Sequence, residues 1–253
     1  MQRASLVISG VSLYAMATYG SYHIYKIYTT PTPKEGISDP KQQPSFTPVY
    51  NQMGALYDDK ISWDEYMLGI ESMRCNLLKR SIGDVLEVSA GTGRNLKYYP
   101  KRSISTLHLT DTSPEMLKTA FIKHKREPML PDPTFTVMNS QKLLYEDSQF
   151  DTVIDTFGLC SHTDPVAALR EMQRVCRPFG RILLLEHGRG YYSWLNDILD
   201  KLAPGHAAKW GCWWNRDIRR MISEAGLRVV SEDRHHFGTT YVFVCNPNKP
   251  PPE

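Results

Sequence analysis

A chain of 253 residues, 41% hydrophobic and 23% charged, is long enough to bury one full-sized core and has the composition of a folded protein, which excludes wholesale disorder. Its formal net charge of +3 comes with no dense Lys/Arg stripe, the tightest cluster being Lys123, Lys125 and Arg126, so no nucleic-acid partner is expected. The five cysteines (Cys75, Cys160, Cys176, Cys212 and Cys245) are scattered, odd in number and free of any Cys-x-x-Cys pair, so neither a metal site nor a disulfide framework is expected.

From Ala4 to Tyr25 the chain has no Asp, Glu, Lys or Arg, and Arg3 and Lys26 bracket that run. A helix needs about 20 such residues to cross a bilayer. Tyr19, Tyr22, Tyr25 and Tyr28 gather at its end, where amphipathic rings favour the interface. Residues 1–28 are therefore expected to form a single transmembrane helix; a cleaved signal peptide and a soluble amphipathic helix are the alternatives. No acidic residue precedes Glu35, which suits a mitochondrial import signal. Residues 29–49 contain Pro31, Pro33, Pro40, Pro44 and Pro48 and read as a stiff linker. Residues 50–246 form the folded domain, and the proline-rich 247–253 reads as a disordered tail.

Within the domain, helical and strand patterns alternate. Ser62 and Glu65 spell a capping box for a helix whose apolar stripe is Trp63, Tyr66, Met67, Ile70, Met73, Leu77 and Leu78. Strands are predicted at Asp84–Val88, Leu107–Thr110, Phe135–Met138, Thr152–Asp155, Arg181–Glu186, Leu227–Val230 and Thr240–Cys245. Ser113-Pro114 and Asp164-Pro165 each combine a capping side chain with proline at the first helical position. Asn215 is expected to cap a last helix, which Gly226 ends. Such alternation predicts an α/β fold, doubly wound, with a mostly parallel sheet between helical layers.

The run Val85-Leu86-Glu87-Val88-Ser89-Ala90-Gly91-Thr92-Gly93-Arg94-Asn95 carries a strand into a glycine turn, with a helix expected beyond. Gly91 and Gly93 let the backbone approach a ligand. About twenty residues later, Asp111 ends the next strand, where a carboxylate accepts ribose hydroxyls. Two details disfavour a dinucleotide. Leu96 stands where the third glycine of G-x-G-x-x-G belongs, and Glu87 sets a negative charge near the pyrophosphate position. A cationic sulfonium suits Glu87 better. Arg94 and Asn95 read either as an anion-binding turn or as surface groups.

Glu87 to Gly93 resembles motif I of class I methyltransferases, and Met138 to Asp151 is similar to the adenine-side loop of quinone-biosynthesis C-methyltransferases. Phe157-Gly158-Leu159-Cys160-Ser161-His162 and Leu184 to Gly190 resemble a closer group, the mitochondrial inner-membrane methyltransferase-like oxidase mutant suppressors of yeasts. The resemblance spans about Tyr57 to Val244. It implies a seven-stranded sheet, a mitochondrial inner-membrane home, and S-adenosylmethionine as cofactor, held by Glu87, Ser89, Gly91, Gly93, Asp111, Thr112, Asn139, Ser140 and Phe157. Asn139 departs from the pattern, replacing the acid that faces the adenine amino group.

His162 and His187 leave the carboxyl ends of strands, where doubly wound sheets do their chemistry, and are the candidate bases. Trp210, Trp213, Trp214 and Tyr192 are candidate walls of a substrate pocket, or core. His235-His236 lacks a third ligand nearby. The expected function is methyl transfer by direct displacement to a small-molecule or protein acceptor. The alternative is a methyltransferase-like assembly factor that binds respiratory-chain components.

Overall fold

The computed structural model describes residues 21, 22, 25, 29, 45–128 and 131–249. Helices α1 (Thr47–Met53), α2 (Tyr57–Met67) and α3 (Ile70–Leu78) precede β1 (Gly83–Val88). There follow β2 (Ile104–Asp111), α4 (Pro114–Arg126), β3 (Thr134–Val137), β4 (Phe150–Thr156), α5 (Pro165–Val175), β5 (Cys176–His187), α6 (Ser193–Trp210), α7 (Ile218–Glu224), β6 (Arg228–His235) and β7 (Thr240–Asn246).

The strands form a seven-stranded sheet ordered β3-β2-β1-β4-β5-β7-β6. Neighbours from β3 to β5 run parallel, while β7 is antiparallel to both β5 and β6. The reversal has a local cause. Only four residues join β6 to β7, too few for a crossover, and His236, Phe237 and Gly238 all turn in the left-handed region.

Side chains alternate between the two faces of the sheet. Val85, Ile154, Leu183 and Leu185 pack with Ile70, Leu77 and Leu78 of α3 and Leu117 of α4. Leu86, Val88, Val153, Ile182 and Leu184 pack with Leu169 and Met172 of α5 and Ile218 and Ile222 of α7. Each such side chain contributes about 1.5–3 kcal/mol when fully buried. The chain reverses its strand order about β1, whose neighbours are β2 and β4, and this opens a crevice beyond their carboxyl ends.

Several expectations are corrected. The stripe from Trp63 to Leu78 is not one helix, because Gly69 adopts φ 64° and breaks it into α2 and α3. Ser62 does not cap; its hydroxyl donates to Asp58 O, and Glu65 turns inward to Arg74. Trp63, Tyr66 and Met67 are consequently exposed. The α-helix expected after the glycine turn is a single 3-10 turn, Leu96–Tyr98. Asp217, not Asn215, caps α7 by accepting from Arg220 N, while the Asn215 amide donates to Asp200. Thr47, Pro48 and Val49, assigned to the linker, lie in α1, and Phe46 before them is buried. At the other end the tail begins on the domain surface, where Lys249 Nζ donates to Cys176 O (2.9 Å) and Asn248 N to Gln173 Oε1 (3.1 Å). Helix α6 had no counterpart among the expected elements. The expected anchor, 1–28, falls outside the described residues except for Ser21, Tyr22 and Tyr25; among the described residues no helix is long and apolar enough to cross a membrane.

Candidate active site

The crevice beyond β1, β2 and β4 is a cleft of about 1030 Å³ including its mouth. Of the nine expected cofactor residues it is lined by Glu87, Ser89, Gly91, Asp111, Thr112, Asn139, Ser140 and Phe157, together with His162. Gly93 stands behind the loop. A Cβ there would meet Leu96 Cδ1 at 2.7 Å and Ala120 Cβ at 2.9 Å, so its role is to seat the turn against α4.

Asp111 locks the glycine turn to β2. Its Oδ2 accepts from Gly91 N (2.8 Å) and its Oδ1 from Ser113 N (2.8 Å), although burial raises the carboxyl above its ordinary value. Each oxygen keeps a lone pair for a ligand hydroxyl. Thr112 Oγ1 accepts from Thr47 Oγ1 (3.0 Å), which ties α1 across the cleft mouth. Asn139 Oδ1 accepts from Gln141 N and Nε2, so the amide that stands in place of the acid is engaged locally.

Glu87 is an organiser more than an open ligand. It is 1% exposed, and its oxygens accept from Asn95 Nδ2 (2.8 Å) and Tyr99 OH (2.5 Å). Burial raises its carboxyl to about 7 against the pull of those two bonds. Asn95 also donates to Thr156 Oγ1, and Arg74 donates to Asn95, Thr156 and Glu65, making one buried network. Arg94 pairs with Glu65 and Asp58, so the anion-binding turn considered for Arg94 and Asn95 does not form.

On the opposite wall, His162 Nε2 lies 3.1 Å from Ser140 Oγ, 3.2 Å from Ser89 Oγ and 3.6 Å from Asp155 Oδ2. Asp155 is fully buried, and neither of its oxygens has a hydrogen-bond partner among the described residues. Burial raises this carboxyl, countered by His162. Ser89 and Phe157 both hold left-handed backbone, with φ 52° and 59°. Such strain in non-glycine residues concentrates at functional sites. Gly158 makes the close approach feasible: a Cβ there would lie 2.1 Å from Asp155 Oδ1 and 2.5 Å from Ser89 Oγ.

His187 is not in the cleft. Its Nε2 meets Cys212 Sγ at 2.8 Å, and Cys160 completes a group whose donor atoms all lie within 4.8 Å of one another, contrary to the expectation of no metal-type cluster. Trp210, Trp213, Trp214 and Tyr192 do not line the cleft either. Trp214 stacks on His206 at 3.9 Å, and Tyr192 stacks on Trp194. The aromatic walls are Phe46, Tyr50, Tyr57 and Phe157. Arg74, Asp155, Tyr50 and Tyr57 are the site residues that sequence reasoning missed. Only Asp155, an acid that follows the apolar pair Val153-Ile154 near the end of its strand, left a visible signal.

The family profile described as methyltransferase domain matches residues 86–184, the segment that runs from β1 through β5. The chain resembles methyltransferase domains over this segment. It is 36% identical over 214 residues to Methyltransferase OMS1, mitochondrial, of Saccharomyces cerevisiae, covering 79% of this chain and 45% of that one. It is 38% identical over 148 residues to the ubiquinone/menaquinone biosynthesis C-methyltransferase UbiE of Bdellovibrio bacteriovorus, covering 56% and 61%. The chain thus spans about half to three-fifths of these relatives. A SAM-dependent methyltransferase of Leishmania major shares the fold, with a TM-score of 0.60 at 15% identity over 79% of this chain and 81% of that one.

Proposed function

We propose that the protein is an S-adenosylmethionine-dependent methyltransferase of the mitochondrial inner membrane, acting on a carbon or hydroxyl acceptor. One observation carries the reading: a single cleft is lined both by the Asp111-braced glycine turn and by His162, which is backed by the buried Asp155. The residues fit the cofactor. Arg74 is 4% exposed, lines the cleft and leaves Nε without a hydrogen-bond partner, a donor suited to the carboxylate of an amino-acid tail. Asp111 suits the ribose hydroxyls, and Met116 and Met138 supply apolar walls for an adenine ring.

When bound, S-adenosylmethionine supplies a methyl group already activated by a positively charged sulfur. The chain's own part is alignment, exclusion of water and removal of the acceptor's proton. Phe46 and Tyr50 of the α1 segment cover the cleft against water. Asp155 favours a proton on His162 Nε2, which leaves Nδ1 as the basic nitrogen and stabilises the imidazolium once Nδ1 takes the proton. The name of the yeast relative supports the mitochondrial placement, and the uncharged run Ala4–Tyr25 supports the membrane placement.

Calorimetric titration with S-adenosylmethionine, with a nicotinamide dinucleotide as contrast, followed by a labelled-methyl assay on mitochondrial extract, tests the reading. Binding and label transfer that both require the intact cleft are expected. Preference for the dinucleotide overturns it.

A further inference from the structure

Cys160 lies in the loop after β4, His187 ends β5, and Cys212 follows α6; no two are closer than 25 residues in sequence. The fold nonetheless gathers two thiols and one imidazole so that all three donor atoms sit within 4.8 Å of one another, with both cysteines buried. None of the three lines the cleft. Packing alone does not call for this donor set. A thiol is a weak hydrogen-bonding group, and an apolar trio would fill the same space without burying an imidazole's polarity.

The geometry points to a zinc site formed by Cys160, His187 and Cys212. Zinc with Zn–S of about 2.3 Å and Zn–N of about 2.1 Å in a tetrahedron spaces its donors roughly 3.6–3.8 Å apart, which the present spacing reaches with side-chain adjustments alone. Binding releases the two thiol protons to solvent, so one dication and two thiolates leave a buried site with no net charge beside a neutral imidazole. Soft sulfur donors also select zinc over magnesium or calcium.

The frame that holds the ligands is built independently of a metal. Trp213 N donates to Cys160 O (3.0 Å), which joins the two cysteine segments through backbone. Gly211 caps α6 in the left-handed region at φ 68°, and this turn places Cys212. The His187 ring lies 5.3 Å from that of Phe157. Tyr50 OH reaches both Ser161 Oγ (2.7 Å) and Gly211 O (3.3 Å), so α1 rests on the same two segments. A zinc ion here pins the loop that carries Phe157 and His162 to β5 and to the end of α6. With three protein donors the fourth tetrahedral position falls to a water molecule, and the site stands whether or not the cleft transfers methyl groups.

The test uses the full chain, expressed in zinc-replete medium and purified without chelator or histidine tag. Elemental analysis is expected to find one zinc per chain in the unaltered protein and in Cys245→Ser, a buried cysteine outside the cluster. Cys160→Ser and Cys212→Ser should bind zinc more than 100-fold more weakly, a larger loss than the roughly 10–100-fold typical of outer-shell partners. Cobalt(II) added to the metal-free unaltered chain should give sulfur-to-cobalt charge-transfer absorbance, a readout that requires no variant to fold. Folded, unaltered chain that retains no zinc and shows no such absorbance overturns the site. So does alkylation followed by mass spectrometry that finds Cys160 and Cys212 joined as a disulfide.

Discussion

Replacing Asp111 by asparagine keeps the side chain's shape and removes its charge and one acceptor. In the native site, the two carboxylate oxygens each accept one backbone N–H, from Gly91 and from Ser113, at 2.8 Å. The single amide oxygen of the Asp111→Asn variant can serve only one of them, and its NH2 group faces the other donor. One buried N–H loses its partner, which costs about 1–3 kcal/mol of stability in the free protein. The ligand loses separately. A hydrogen bond to a charged group contributes about 1.5–3 kcal/mol, so the Kd for S-adenosylmethionine should rise between about tenfold and 150-fold. Calorimetry on both proteins measures this, with S-adenosylhomocysteine as a second ligand. An analogue lacking the ribose hydroxyls distinguishes ribose contact from collapse of the loop. It should bind the native protein weakly and lose little further affinity in the variant, as coupled partners do in a double-perturbation cycle. A Kd for S-adenosylmethionine within about twofold of native refutes the assignment. Equal losses for S-adenosylmethionine and the analogue restrict Asp111 to bracing the turn.

Glu87→Gln tests the buried network. Its folded carboxyl lies above the ordinary 4.5, at about 7, so its contribution to stability is complete below pH 4.5 and is lost as pH rises through 7. That window amounts to about 3 kcal/mol, and since Asp111 and Asp155, also raised by burial, remain in both proteins, urea melts across it should fall more steeply with pH in the native protein than in the variant. His206, held down to about 4 chiefly by burial, acts in the opposite sense in both proteins, so equal slopes would contradict the Glu87 account. His162→Ala should lower methyl transfer by about 10²–10⁴ with cofactor Kd nearly unchanged, and Asp155→Asn should shift the pH profile of the remaining rate; full activity in both variants excludes this pair as the base. Gly158→Ala forces a methyl against Asp155 and Ser89 and should cost about 1–3 kcal/mol, read as a lowered Tm, with native stability arguing that the loop adapts. The full chain should resist carbonate extraction from mitochondrial membranes while a chain beginning at Ser45 is released; extraction of both would reduce 1–28 to a targeting signal.

The sheet and the cofactor half of the cleft were legible in sequence because their signals are local. A buried strand, a turn that requires left-handed glycine at Gly91, and an acid at the end of the next strand all lie between Val85 and Asp111. The caps at Ser113 and Asp164 were likewise visible, since a cap involves only one helical turn. The remainder depended on residues that meet only across the fold. Apolar periodicity said nothing of Gly69, whose backbone conformation ends α2 and turns Glu65 toward Arg74. Proline content made 29–49 read as linker, yet Phe46 finds burial because the sheet's crevice accepts it. Pro204 and Gly205 masked α6, which packing sustains despite both. Cys160, His187 and Cys212 share no spacing motif and were read as unconnected. Three strand and helix ends converge on one point at the carboxyl edge of the sheet, and that convergence, a property of topology alone, makes them a cluster.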